Sequence, residues 1–348
     1  MTIKNIQGLR AVAALLVVFV HLGNPNGFEH RYLANPHPFT EALARIGYLG
    51  VDLFFLISGF IMVVTTFRAK EKKLSSINFL KRRIIRIYPP LWIINTFVLA
   101  VFLLKPSLVN SHSAVPTNIW ASYLLLPQAG NALVLVAWTL VYEMFFYLVF
   151  ALGLLGGLRT LTLTLIAWVS LLALANRINP DPQNIYVAFL QNPIVSEFIL
   201  GAAIGIMSRK SFPSWFAMTS FLAGLIGSLI VAIPLALGSR GFPEGWTRVE
   251  SAIPLAGILL GLVLLERRFG AWTPRYVQRL GDASYSLYLW HIPTLTLMGI
   301  ILHGAHLHTP LAQVLGLLLT MTAVIAVAMV VYRCLELPLT NWLRVRCG

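Results

Sequence analysis

Arg10 and His21 lie in the stretch GLRAVAALLVVFVHLG, separated by an unbroken apolar run from Ala11 to Val20. Eleven residues at about 100° each make three helical turns plus roughly 20°, so both side chains share one helix face, about 16 Å apart along the axis. An imidazole titrates near neutral pH and suits a general base. A buried histidine bonded to a neighbouring helix is the structural alternative. The guanidinium at the other end of that face offers a fork of donors to an anion.

Ionisable groups at membrane depth cost at least about 2.5–3.5 kcal/mol, and those that persist are usually functional. Three more apolar stretches carry one: Asp52 in GYLGVDLFFLISGF, Glu143 in AWTLVYEMFFYLVF and His291 in SYSLYLWHIP. Glu143 suits either orienting a catalytic imidazole or pairing with a buried Arg or His. Trp138 and Tyr142 are one turn apart, as are Glu143 and Tyr147; Trp138 serves packing or interfacial anchoring. Asp52, near the outer end of its span, suits a cap or an ion pair. Ser284, Tyr288 and His291 fall at i, i+4 and i+7 on one face, fit for interhelical hydrogen bonds or for lining a pathway. Pro293 is expected to disturb that helix.

The stretch NFLKRRIIRIYPPLWI places Arg83 and Arg86 one turn apart on the membrane side of a basic cluster, where the pair suits clamping a phosphate. Lys70, Lys72, Lys73, Lys81 and Arg82 read as topology determinants. Pro89 and Pro90 are expected to break the helix beside them. His303, His306 and His308 in HGAHLHTP read as a solvated outer loop, because their spacing alone does not define a metal site. No GxSxG elbow, P-loop, HExxH or paired CxxC occurs. Ser58-Gly59 therefore reads as close helix packing.

The elements that carry these residues are membrane helices. Of 348 residues, 58% are hydrophobic and 11% charged, and mean hydropathy is +0.79; soluble domains have about 25% charged residues. Apolar segments predict ten spans near 9–25, 46–66, 87–104, 136–156, 160–175, 187–207, 214–237, 250–265, 284–302 and 311–332. The fold class is all-α and polytopic, a single transmembrane domain over 1–348 with no separate soluble domain. The segment NIWASYLLLP is too short to cross and suits a re-entrant or interfacial piece. The net charge of +14 is set by topology rather than by nucleic acid. With the N-terminus inside, 20 of 26 basic residues fall on the cytoplasmic side, which places both termini there. Arg31, Arg45, Lys105, Arg177, Arg240 and Arg248 remain outside. Two cysteines, Cys334 and Cys347, make no disulfide framework. The first span has no cleavage site after it and reads as retained.

IQGLRAVAALLVVFVH, GVDLFFLISGFIM, FLKRRIIRIYP, WTLVYEMFFY and LGDASYSLYLWHIP occur in that order. In these motifs the chain resembles the acyltransferase-3 family, most of all its ExoZ-type exopolysaccharide branch. The resemblance implies a ten-helix bundle in the bacterial inner membrane. It implies acetyl-CoA, or another acyl-CoA, as donor from the cytoplasm, with no permanently bound cofactor. The acceptor it implies is a hydroxyl of an exopolysaccharide, a lipopolysaccharide or a lipid-linked sugar, with polysaccharide-assembly proteins as partners. His21 would be general base or acyl relay, and Glu143 would orient its imidazole. Arg10, Arg83 and Arg86 would bind the acyl-CoA. Asp52, Tyr288 and His291 match motif positions suited to the acceptor or the oxyanion. The family's extra esterase-like domain is not expected here, nor a second periplasmic transfer step. The rival reading from residues alone is a glycan flippase or proton-coupled carrier, because buried His, Glu and Asp also relay protons. Such carriers often show repeated halves with paired broken helices, and no internal repeat is visible.

Overall fold

A computed structural model describes residues 3–25, 27–32, 37–67, 75–110, 115–304 and 309–347. The chain forms α1 (Lys4–Gly23), α2 (Phe28–Tyr32), α3 (Pro38–Gly47), α4 (Leu49–Thr66), α5 (Ser76–Leu104), α6 (Ile119–Leu124), α7 (Trp138–Leu154), α8 (Leu158–Ile178), α9 (Ile185–Gln191), α10 (Val195–Met207), α11 (Ser214–Ala236), α12 (Gly245–Phe269), α13 (Arg275–Asp282), α14 (Ser284–Gly304), α15 (Pro310–Val331) and α16 (Leu337–Cys347). A π turn, Tyr332–Glu336, joins the last two. Among the described residues there is no strand.

Among the described residues, ten helical segments are long and apolar enough to cross a membrane. Every expected span has its counterpart, including the short one near 160–175, which is a full helix, Leu158–Ile178. The six-residue α6 does not cross.

One expectation about proline is corrected: α5 runs from Ser76 to Leu104 through Pro89 and Pro90 without a break, and α14 likewise continues through Pro293. Proline removes one backbone donor, and in a membrane helix neighbouring groups and local adjustment absorb that loss without ending the helix. α5 also begins well before its apolar run. Ser75 caps it, its side chain accepting from the Asn78 amide at 3.2 Å. The basic cluster Lys81–Arg86 is therefore on the helix itself.

The described residues fall into two compact units, 1–57 with 208–334 and 58–207 with 335–348. In the first, α1 is surrounded. α3 and the start of α4 run antiparallel to it: a Cβ on Gly23 would meet the Thr40 backbone, one on Gly47 the Leu16 carbonyl, and one on Gly50 the Ala13 carbonyl. α14 packs beside α1 through a core of Ala14, Val18, Leu22, Leu287, Leu295 and Met298. In the second unit the core is aromatic. Phe146 stacks on Phe198 at 4.8 Å and Phe79 on Phe150 at 5.0 Å between centroids.

Gly59 shows why small residues occur there. A Cβ at this position would lie against the Phe198 carbonyl of α10, so Gly59 is a close helix contact. Gly59→Ala is expected to destabilise the protein by about 1–3 kcal/mol through overpacking. The check is the apparent Tm in detergent, with Gly241→Ala as the neutral comparison, since Gly241 has open space around it.

Candidate active site

In the first unit, two contacts between polar side chains fix the register of α1 and α14. Arg10 Nη2 donates to Ser284 Oγ at 2.8 Å. The His21 and His291 rings lie 5.2 Å apart, tilted by 44°. Residues low on one helix thus meet residues low on the other, so the two helices run parallel. The spans between them number seven, as strict alternation across a membrane requires for a parallel pair. The seven-residue step on α14 is shorter than the eleven-residue step on α1 by about 6 Å, a gap the long arginine side chain spans. The two faces read separately from the sequence are therefore brought together.

The two imidazoles are not equivalent. His291 is 1% exposed, whereas His21 is only partly buried. His291 Nδ1 sits 3.2 Å from the Leu287 carbonyl. A carbonyl only accepts, so Nδ1 carries the proton and Nε2 keeps the basic lone pair. That Nε2 is buried with no hydrogen-bond partner. His21 makes no hydrogen bond among the described residues, and its recorded neighbour is the His291 ring. Tyr288, 7% exposed, lies 6.1 Å from the His291 ring and meets Phe54 edge-on at 5.9 Å.

Asp52 is fully buried and paired. Arg248 contacts its Oδ1 through Nε at 2.7 Å and Nη2 at 2.5 Å. The arginine also covers the Phe242 ring at 5.2 Å, Phe242 packs on Tyr48 at 4.8 Å, and Asn24 Nδ2 donates to the Tyr48 hydroxyl at 3.3 Å. Pairing, one of the two roles read for Asp52, is what the structure shows. Its partner was visible in the sequence only as an outer-loop charge.

In the second unit, Glu143 Oε1 accepts from Ser58 Oγ at 2.7 Å and from the Tyr147 hydroxyl. The Glu143–Tyr147 turn is thus a direct hydrogen bond. Arg83 sits above Phe79 at 5.5 Å and Tyr147 at 5.8 Å, and Nη2 donates to Thr65 Oγ1 at 3.2 Å. Its Nε is buried without a partner. Arg86 makes no hydrogen bond or ion pair among the described residues. Arg344 of α16 lies within Coulombic reach of Arg82, Arg83 and Arg86. This is a cationic cluster with unused donors, suited to a polyanion. Arg344 is not among the phosphate candidates read from the sequence; it is one of the 20 basic residues counted there on the cytoplasmic side. Sequence reading also missed Ser58 and Thr65, whose hydroxyls have no motif. Trp138 packs edge-on against Tyr142 at 6.1 Å.

Among the described residues no group of three or more His, Cys, Asp or Glu is placed to hold a metal. His303 packs edge-on against Tyr32 at 6.4 Å. His306 and His308 lie outside the described residues, as do Lys70, Lys72 and Lys73.

The acyltransferase-3 family profile, described as an acyltransferase domain, matches residues 3–333. The chain is 32% identical over 263 residues to the exopolysaccharide production protein ExoZ of Rhizobium meliloti, covering 73% of this chain and 77% of that protein. It is 28% identical over 332 residues to BcsY of Komagataeibacter xylinus, covering 90% and 79%. It is 22% identical over 323 residues to the O-acetyltransferase OatA of Staphylococcus aureus, covering 84% of this chain and 50% of that protein. No solved structure matches it. A family match over residues 3–333, on ten membrane-length helices among the described residues, makes this protein a multi-pass membrane O-acyltransferase of the acyltransferase-3 family.

Proposed function

We propose that the protein moves an acetyl or other short acyl group from acyl-CoA to a hydroxyl of an exopolysaccharide, a lipopolysaccharide or a lipid-linked sugar in the bacterial inner membrane. The observation that carries this is the His21–His291 pair. It couples a partly accessible imidazole to a second one whose basic nitrogen is buried and unpartnered. The name of ExoZ, an exopolysaccharide production protein, supports a glycan acceptor, and that of OatA, an O-acetyltransferase, supports transfer of an acetyl group to oxygen.

His21 takes the proton from the acceptor hydroxyl, whose oxygen attacks the thioester carbonyl. The C–S bond breaks, the acyl–oxygen bond remains, and the imidazolium returns its proton to the departing CoA thiolate. His291 and Tyr288 sit beside that imidazole and serve the acceptor or the oxyanion. Arg10 anchors the same face. Arg83 and Arg86 bind the donor phosphates. Glu143, held by Ser58 and Tyr147, balances positive charge during transfer. Asp52 acts through its ion pair. Both termini lie in the cytoplasm, and 1–348 acts as one acyltransferase domain.

Purified protein mixed with acetyl-labelled acetyl-CoA and acceptor glycan is expected to consume thioester and label the glycan, both dependent on His21. Thioester consumption that persists in His21→Ala would remove His21 from the role, and no consumption in wild type would remove acetyl-CoA as donor. Omitting acceptor distinguishes the two routes: label retained on the protein and lost in His21→Ala marks an acyl-imidazole relay, and no label marks direct transfer.

Arg83→Ala is expected to raise the donor KM by about 10- to 150-fold, the equivalent of about 1.5–3 kcal/mol for hydrogen bonds to a charged group. Arg83→Lys is expected to rescue little, because an ammonium lacks the planar fork of donors that the guanidinium presents beside the Phe79 and Tyr147 rings. Donor titration of each variant is the check; an unchanged KM sinks the phosphate role.

A further inference from the structure

The N-terminal end of α1 is held by a distant segment of the same unit. Its N-cap residue, Ile3, offers no side-chain cap. Glu266, at the end of α12, supplies one: Oε1 accepts from the Lys4 amide and Oε2 from the Asn5 amide, both at 2.7 Å. A carboxylate there also meets the positive end of the helix dipole. Asn5, 2% exposed, then gathers three donors on Oδ1: the Trp272 amide at 3.2 Å, the Thr273 amide at 3.1 Å and the Thr273 hydroxyl at 2.8 Å. Further along, a Cβ on Gly281 would overlap the Gln7 backbone. The segment from Glu266 to Gly281 is a clasp built onto α1.

The outer side of this clasp is unlike an ordinary wet surface. Arg267, Arg268, Arg275 and Arg279 are all exposed, with the last two one turn apart. Among them Phe269, Trp272 and Tyr276 are 66%, 51% and 75% exposed. Glu266 is committed to the cap, so these arginines have no exposed carboxylate among them in sequence from Arg267 to Arg279. Three large rings held open to water are unfavourable, even with Arg268 lying over the Phe269 ring at 5.9 Å, and the four like charges repel one another. At a bilayer interface both features are satisfied, because rings settle at headgroup level and guanidinium groups bond phosphates. The clasp directly continues a helix long and apolar enough to span.

We propose that the segment Arg267–Arg279 is a docking surface for anionic phospholipid headgroups, and that lipid seated there steadies the α1 end that carries Arg10. Topology charges alone account for arginines in a loop. They do not account for exposed rings on a segment that, together with Glu266, is bonded to α1 by five hydrogen bonds.

The test uses the full chain in phosphatidylcholine vesicles with and without phosphatidylglycerol, and its lipid readout is independent of acyl transfer. Phosphatidylglycerol retained by the protein is counted by native mass spectrometry. Wild type is expected to retain it in a salt-sensitive manner. The combined variant Arg267→Gln, Arg268→Gln, Arg275→Gln, Arg279→Gln is expected to lose at least tenfold in retention, given about fivefold per basic residue. The same four changed to Lys are expected to keep most of it, which also guards against misfolding of the Gln set. Arg209→Gln with Lys210→Gln, a basic pair elsewhere, is expected to leave it intact. Wild-type retention in the Gln variant, or equal loss in the Arg209 and Lys210 control, overturns the proposal. So does a raised acyl-CoA KM with lipid retention unchanged, which would give these arginines to donor phosphates.

Discussion

His21→Ala is expected to lower the turnover of acyl transfer by at least about 10²–10⁴-fold, the usual contribution of a positioned general base. Donor KM is expected to change little, since the phosphate-binding arginines are untouched. The protein is expected to stay folded, because His21 makes no hydrogen bond among the described residues and gives up mainly a ring contact with His291. Added imidazole is expected to restore part of the rate by entering the vacated space. His291→Ala is also expected to slow transfer, and the double variant to be little slower than His21→Ala alone, because groups that act as a unit are not additive. Fully additive losses would mean that the two rings act independently. Turnover of His21→Ala within threefold of wild type would end the general-base assignment.

Much of this arrangement is legible in the chain itself. Ten apolar runs of bilayer length dictate ten helices, and the 3.6-residue period places Arg10 with His21 and Ser284 with His291 on single faces. Three features are not legible, each for a physical reason. Pairing is tertiary: Arg10 meets Ser284 across 274 positions and Asp52 meets Arg248 across 196. Nothing local to either partner encodes such a meeting. Helix ends are also hidden, since hydropathy marks contact with lipid and not helicity. The Lys and Arg residues of α5 are good helix formers that carry the helix beyond its apolar run. Finally, proline rules drawn from soluble helices overstate the break at Pro89 and Pro90.

Asp52→Ala is expected to destabilise the protein by about 3–5 kcal/mol, because removing one partner of a buried pair leaves an uncompensated charge. Asp52 is wholly buried and Arg248 keeps only 14% of its side chain in solvent, so water cannot readily take the carboxylate's place. The Arg248→Leu, Asp52→Ala double variant is expected to be more stable than Asp52→Ala alone, since no orphaned guanidinium remains. The effect reaches the site by a traceable route. Arg248 covers Phe242, Phe242 packs on Tyr48, and Tyr48 accepts from Asn24, three residues past His21. Loss of the pair is therefore expected to lower turnover without changing donor KM. The sequence motif alone assigned Asp52 to the acceptor or the oxyanion, and the double variant decides between the readings. If Asp52 acts through its ion pair, the double variant regains part of the turnover lost in Asp52→Ala. If Asp52 touches the reacting groups, stability returns in the double variant and turnover does not.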